Sequence, residues 1–261
     1  MILAVIFDLD GTLVETEELK ALSYARAAVE LRPEELNEAE VIDAFKEVVG
    51  LSRREVAIAL IQHFGLEEAA QARIAEFGVD APWQAYVQIR LRIYEDLLHD
   101  PTLLWRYRYP HTLALLNEIQ QGDCLTALAT MSYCAQVRRV LEVLGMANAF
   151  DFVASRDDVE HGKPDPEIYL LVAHEMGIPP EDCLVIEDSP TGVKAALAAG
   201  MNVVAVGTNF TRQRLHESML LPAGHIVDDP AMLPQVVAHV IAHHRHEDQM
   251  SSLDETSVRN G

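Results

Sequence analysis

The most constraining stretch of the chain is Ile2-Leu3-Ala4-Val5-Ile6-Phe7-Asp8-Leu9-Asp10-Gly11-Thr12-Leu13. Its first six residues are apolar without alternation, and several are β-branched or aromatic. Such a run is expected as a strand buried on both faces, the kind that occupies a parallel sheet. It stops at two aspartates spaced i, i+2, and Gly11 then permits a sharp turn. A buried strand that delivers two carboxylates to its C-terminal end needs a cation or a reaction to offset their desolvation. In open α/β sheets that end is where ligands bind.

Chemically, the pair suits a metal-assisted nucleophile. One carboxylate can attack phosphorus to form an aspartyl-phosphate, dividing one difficult displacement into two easier ones. The second can act as general acid toward the leaving oxygen and then as base toward water. A free aspartate titrates at about 3.9, so Asp10 carries a proton near neutral pH only in surroundings that raise this value. The same Asp-x-Asp-Gly also suits an ordinary strand-end turn, and the stretch alone leaves both readings open.

The rest of the chain sets the fold around this strand. From Thr16 to about Leu104 the pattern is helical, with segments at Val41–Val49, Arg53–Phe64 and Gln84–Leu98 punctuated by Gly50, Gly65, Gly78 and Pro82. No convincing strand falls there, and an all-helical block after a first strand is what an inserted domain looks like. The acidic stretch from Glu30 to Asp43 reads as a solvated face. From Pro110 onward, strands expected at Leu125–Ala129, Phe150–Ala154, Cys183–Ile186 and Val203–Val206 alternate with helices at 112–121, Ala135–Leu144, Glu167–Met176 and Gly192–Ala199. Ile226–Val227 suits an edge strand and Met232–His244 a last helix. This alternation predicts a doubly wound parallel sheet. Within the last helix, His239 and His243 stand one turn apart; with His244 and His246 they suit either a metal or, more simply, a solvated helix.

Composition removes several classes of function. With 20 Lys and Arg against 41 Asp and Glu, the formal net charge is −21. Nucleic acids and anionic membranes need a basic face, so neither is an expected partner. No run of eighteen apolar residues offers a membrane span. The first residues lack the basic, apolar, small-residue order of a signal peptide. Cys124, Cys134 and Cys183 form no C-x-x-C and cannot all pair, which suits a reducing cytoplasm. An acidic enzyme for phosphate esters would need local cations where its substrate enters. The oligomeric state is left open, and a monomer is compatible with everything above.

Phe7-Asp8-Leu9-Asp10-Gly11-Thr12-Leu13 resembles the first motif of the haloacid dehalogenase-like hydrolases. The strand-end Thr130, Gly162-Lys163-Pro164-Asp165-Pro166 and Glu187-Asp188-Ser189-Pro190-Thr191-Gly192 resemble the later motifs, in the family's order and over most of the chain. The β-phosphoglucomutase-like branch, with its helical cap, is the most similar. The resemblance implies a Rossmann-like core of residues 1–15 and 105–245, a helical cap of 16–104, and a tail, 246–261, expected to be disordered. It implies Asp8 as nucleophile and Asp10 as acid and base. Thr130, helped by Ser132, and Lys163 would hold the phosphoryl group. Asp8, Asp10 through its main-chain carbonyl, Glu187 and Asp188 would make an oxygen-only site suited to magnesium. A lysine about 4 Å from a phosphoryl oxygen is worth roughly 4 kcal/mol at an effective dielectric of 20, a thousandfold in rate.

Specificity would then reside in the cap. Gly50-Leu51-Ser52-Arg53 and Arg90 resemble positions that grip the far end of phosphosugars, and Arg suits bidentate phosphate recognition. Both arginines also suit exposed helix faces. The mutase pattern has His soon after the first motif, where this chain has Lys20, which favours hydrolysis over phosphoryl isomerisation. Asp10 disfavours a true dehalogenase, which needs no such acid. The expected activity is a magnesium-dependent phosphatase for a small sugar or polyol phosphate. A phosphosugar mutase and a non-catalytic binding protein on the same fold stand as alternatives.

Overall fold

The computed structural model describes residues 1–49 and 51–244. Gly50, His246 and the expected disordered tail lie outside the described residues. Two compact units divide the chain: Met1–Glu15 with everything from Arg108 onward, and Thr16–Tyr107.

The first unit is a six-stranded parallel sheet in the order β3-β2-β1-β4-β5-β6. Its strands are β1 (Ala4–Phe7), β2 (Leu125–Ala129), β3 (Phe152–Ala154), β4 (Cys183–Glu187), β5 (Asn202–Val206) and β6 (Ile226–Val227). β1 sits at the centre, with Ala4 opposite Leu125 on one side and Cys183 on the other. All four of its side chains are fully buried, as the unbroken apolar run requires. Burial of Ile6 and Phe7 contributes about 1.5–3 kcal/mol each. The strand order reverses between β1 and β4, so the C-terminal ends of these two strands flank the crevice that such sheets offer to ligands.

Helices link the strands: α8 (Pro110–Ile119), α9 (Cys134–Val143), α10 (Glu167–Met176), α11 (Pro190–Ala198) and α12 (Arg212–Ser218), with a last helix α13 over 233–244. Two of them show why the boundaries fall where they do. Gly177 closes α10 in the left-handed conformation at φ +66°. Ser189 caps α11 by accepting the Gly192 N–H, with Pro190 at the first helical position. Elsewhere local chemistry moved an expected boundary. α8 starts at Pro110, whose missing N–H is harmless in a first turn, and it stops before Gly122, which closes a turn by donating to the Ile119 carbonyl. The helix α12 was not expected.

The second unit is all-helical: α1 (Thr16–Leu31), α2 (Glu38–Lys46), α3 (Arg53–Phe64), α4 (Glu67–Gln71), α5 (Ile74–Phe77), α6 (Pro82–His99) and α7 (Pro101–Arg106). Ser52 and Glu55 form a reciprocal capping box at the start of α3, and Gly65 ends it at φ +60°. The mostly aliphatic core of this unit holds an aromatic cluster. Tyr24 of α1 packs on Phe45 and Tyr86, with ring centroids 5.5 and 5.8 Å away, and Tyr86 donates its hydroxyl to the Tyr24 carbonyl at 2.8 Å. The short helices α4, α5 and α7 lack the two full turns that make a periodic pattern legible. Among the described residues no helix is long and apolar enough to cross a membrane.

Candidate active site

Each parallel strand near the centre of the sheet ends in a polar residue, and these meet at one edge. Asp8 follows β1, Thr130 follows β2, and Glu187 and Asp188 end β4. Lys163 arrives from the segment between β3 and α10, and a cis peptide bond joins it to Pro164.

Lys163 is the hub. Its Nζ donates to Asp8 Oδ1 at 2.7 Å, to Glu187 Oε1 at 2.7 Å and to the Ala129 carbonyl at 3.0 Å. All three ammonium protons therefore have acceptors, although the side chain is only 5% exposed. Tyr169, which the sequence reading did not single out, lies beneath it. The phenol ring centroid is 4.9 Å from Nζ, and its hydroxyl donates to Glu187 Oε1 at 3.0 Å. Its only sequence signal was a place on the inward face of α10, two residues into that helix.

Glu187 is gripped on both oxygens. Oε1 accepts from Lys163 and Tyr169, and Oε2 from the Asp188 and Ser189 N–H groups and the Ser189 hydroxyl at 2.9–3.1 Å. A β-carbon at Gly192 would collide with this carboxylate, so only glycine lets α11 begin so close. Gly11 plays the same part on the other side: at φ +86° it brings the turn after β1 against the Asp188 carboxylate, where a β-carbon would clash.

Asp8, Glu187 and Asp188 each offer an oxygen within 4.8 Å of the others, and the Lys163 ammonium bonds two of the three carboxylates. Burial pushes the Asp8 carboxyl up, to about 7, against the pull of Lys163, and the Glu187 and Asp10 carboxylates add to the rise. Burial also disfavours a charged Glu187, but Lys163 and the surrounding donors outweigh it and hold that carboxyl below its usual range. The same two carboxylates hold the Lys163 ammonium well above its ordinary pKa although burial opposes its charge. A buried group of carboxylates built only from hard oxygen donors fits a small divalent cation, without the nitrogen or sulfur ligands that zinc prefers. Glu187 was expected as one of the ligands; of the three carboxylates it is the one whose oxygens Lys163, Tyr169 and the start of α11 already engage.

Thr130 and Ser132 were expected on the phosphoryl group. Here both hydroxyls donate to Asp10 Oδ2, from Thr130 at 3.2 Å and from Ser132 at 2.6 Å. Of the other expected residues, Arg53, Arg90 and Lys20 belong to the helical unit, and His239, His243 and His244 to the last helix of the sheet unit. Arg53 is exposed at the start of α3. Arg90 is buried in α6, its guanidinium 4.9 Å from the Tyr24 ring centroid and 4.5 Å from that of Tyr94, with Nε unbonded. Lys20 pairs with Glu17 at 2.8 Å. His239 and His243 are exposed with ring centroids 4.2 Å apart, and His244 meets Asp182 at 3.3 Å. Among the described residues, the group of three or more candidate metal ligands is the one at Asp8.

Comparison with known proteins gives this geometry a context. Residues 5–206 match the family model described as haloacid dehalogenase-like hydrolase. The chain is 30% identical to a phosphorylated carbohydrates phosphatase of Thermotoga maritima, over 76% of this chain and 82% of that protein. It is likewise 30% identical to the fructose-1-phosphate phosphatase YqaB of Escherichia coli, over 77% of this chain and 94% of that protein. A solved Thermotoga maritima structure assigned as a β-phosphoglucomutase superposes with a TM-score of 0.70 at 27% identity, covering 91% of this chain and 99% of that one.

Proposed function

The chain belongs to the haloacid dehalogenase-like hydrolases and is a phosphoric monoester hydrolase; we propose that it hydrolyses a small sugar or polyol phosphate with magnesium, through an aspartyl-phosphate at Asp8. The observation that carries the reading is the Asp8–Lys163 pair at 2.7 Å, buried at the end of the central strand beside Glu187 and Asp188.

In this reading a carboxylate oxygen of Asp8 attacks phosphorus while Lys163 offsets the charge on the phosphoryl oxygens. Asp10 protonates the leaving oxygen, then takes a proton from the water that releases phosphate. Thr130 makes the longer of the two hydroxyl contacts to Asp10, so it is the hydroxyl more easily yielded to the phosphoryl group. Asp8 and Asp188, with the main-chain carbonyl of Asp10, would hold the magnesium, and Glu187 stands behind them, orienting Lys163. When bound, the ion supplies positive charge that offsets carboxylate repulsion and polarises the phosphoryl group. The helical unit is the cap of this reading, and Arg53 and Arg90 are its candidate specificity residues. The three thiols, none of them in a disulfide, suit the cytoplasm proposed for it.

Inorganic phosphate release from a panel of phosphorylated metabolites tests the proposal, run with magnesium, with chelator, and with Asp8→Asn. Release that depends on the metal and vanishes in the variant is expected. Isomerised sugar phosphate without free phosphate would mean a mutase instead, and silence across the panel would leave a binding protein. An active Asp8→Asn would sink the nucleophile assignment.

A further inference from the structure

The loop that carries Lys163 belongs to neither strand nor helix, yet its main chain is held on both sides. The Glu160 and His161 N–H groups, successive along the chain, both donate to the Glu167 carboxylate, one to each oxygen at 2.8 Å. Successive amides turned to one side form a concavity suited to an anion, and Glu167 fills it from the first residue of α10. His161 Nδ1 lies 3.1 Å from the same Oε2. The two amides hold the Glu167 carboxyl below its usual range, so it meets them as a charged acceptor, which makes the stronger kind of bond. The Arg156 guanidinium takes the opposite side of the loop, donating to the Val159 carbonyl at 2.5 Å and to the Glu160 carbonyl at 3.2 Å. Asp165 ties the far end: its N–H donates to the Gly162 carbonyl at 3.1 Å, and its Oδ1 accepts the Glu167 N–H at 3.0 Å.

We infer that Glu167 is a positioning residue for Lys163: by chelating the main chain of residues 160 and 161 it fixes where the ammonium stands while Asp8 is bonded to phosphorus. The inference rests on the phosphatase reading above. Before attack, Asp8 Oδ1 is one of the three acceptors that align Nζ. Attack draws the charge of Asp8 into the new bond to phosphorus, and Nζ must then serve the phosphoryl oxygens from the same place. A lysine ammonium sits on a flexible four-carbon stem, so its place depends on the main chain that carries it. A shift of about 1 Å in a group that acts on the reacting atoms can cost on the order of a hundredfold in rate. Glu167 prevents that shift through the loop.

Orthovanadate separates this role from simple support of the fold. It resembles phosphorus midway between two oxygens, and its inhibition constant depends on how the site is arranged, not on how much of the enzyme is folded. Glu167→Gln keeps the shape of the side chain but turns an NH2 group toward one of the two amides. With magnesium present, kcat/KM on the best substrate of the panel is expected to fall roughly tenfold to a hundredfold, and the vanadate inhibition constant to rise by a similar factor. In a Lys163→Met background the same substitution is expected to change neither, because the group it positions is gone. Arg156→Gln frees the carbonyl side of the loop and is expected to act in the same direction, which gives a second reading should Glu167→Gln fail to fold. A lower kcat/KM with an unchanged vanadate constant, no change in either, or an undiminished effect without Lys163 overturns the positioning role and leaves the phosphatase reading standing. Wild-type enzyme silent across the panel overturns that reading, and the inference with it.

Discussion

Lys163 and Arg90 are both buried cations, one in each unit of the molecule, and they are held in opposite ways. Lys163 meets two carboxylates and a carbonyl, so every proton of its ammonium has an acceptor. Arg90 lies between the rings of Tyr24 and Tyr94, has no carboxylate within 4 Å among the described residues, and keeps an unbonded Nε. Burial correspondingly pulls its guanidinium below the usual pKa, whereas the carboxylates around Lys163 raise that ammonium well above. The first cation is part of a network that its neighbours need. The second is a desolvated charge whose known company is aromatic, which stabilises it by about 0.5–2 kcal/mol per ring. A guanidinium kept dry without an ion pair carries a desolvation cost that the two rings only partly offset.

Breaking Lys163 is expected to have the larger effect. Lys163→Met leaves Asp8 and Glu187 buried without their counter-ion, which costs about 3–5 kcal/mol by urea unfolding. Phosphate release falls on the order of a thousandfold. A variant that keeps wild-type stability would show that the three-way network is ornamental. Arg90→Met is expected to behave in the other direction. The replacement fills similar space without a charge to desolvate, so stability stays within about 1 kcal/mol of wild type or rises. If Arg90 serves the substrate, KM rises while kcat holds, because binding common to ground and transition state is what is lost. A loss of stability as large as that of Lys163→Met would erase the contrast and make Arg90 a structural charge.

The same contrast explains what the sequence disclosed. In the sheet, the apolar run of β1 and the Asp-x-Asp-Gly after it placed a strand, its end and two carboxylates together. Parallel topology then gathers every strand end at one edge, which put Thr130, Glu187 and Asp188 beside the first two carboxylates, while the family resemblance supplied their expected roles. Lys163 was singled out because Gly162-Lys163-Pro164-Asp165-Pro166 resembles a motif of the family; a loop lysine by itself would read as solvated. The partners of these residues were not legible. That Tyr169 lies under Lys163, or that Ser132 turns to Asp10, depends on side-chain packing between elements remote in sequence, which no local pattern encodes. In the helical unit, helical pattern between Gly50 and Gly65 located α3 to the residue, while the capping box of Ser52 and Glu55 that starts it was not read from the sequence. Helical periodicity there could not tell exposed Arg53 from buried Arg90, since each follows or precedes apolar residues at similar spacing. α4, α5, α7 and α12 were missed because a helix shorter than two full turns presents too few periods for a pattern to be read.

The most direct test of the account is chemical trapping of the enzyme during turnover. Borohydride added while the enzyme hydrolyses its best substrate reduces an acyl phosphate to an alcohol, and peptide mass spectrometry locates the change. The account predicts homoserine at position 8, dependent on substrate and magnesium and absent from Asp8→Asn. Unmodified Asp8 under conditions of rapid phosphate release, or reduction at another carboxylate, would contradict it.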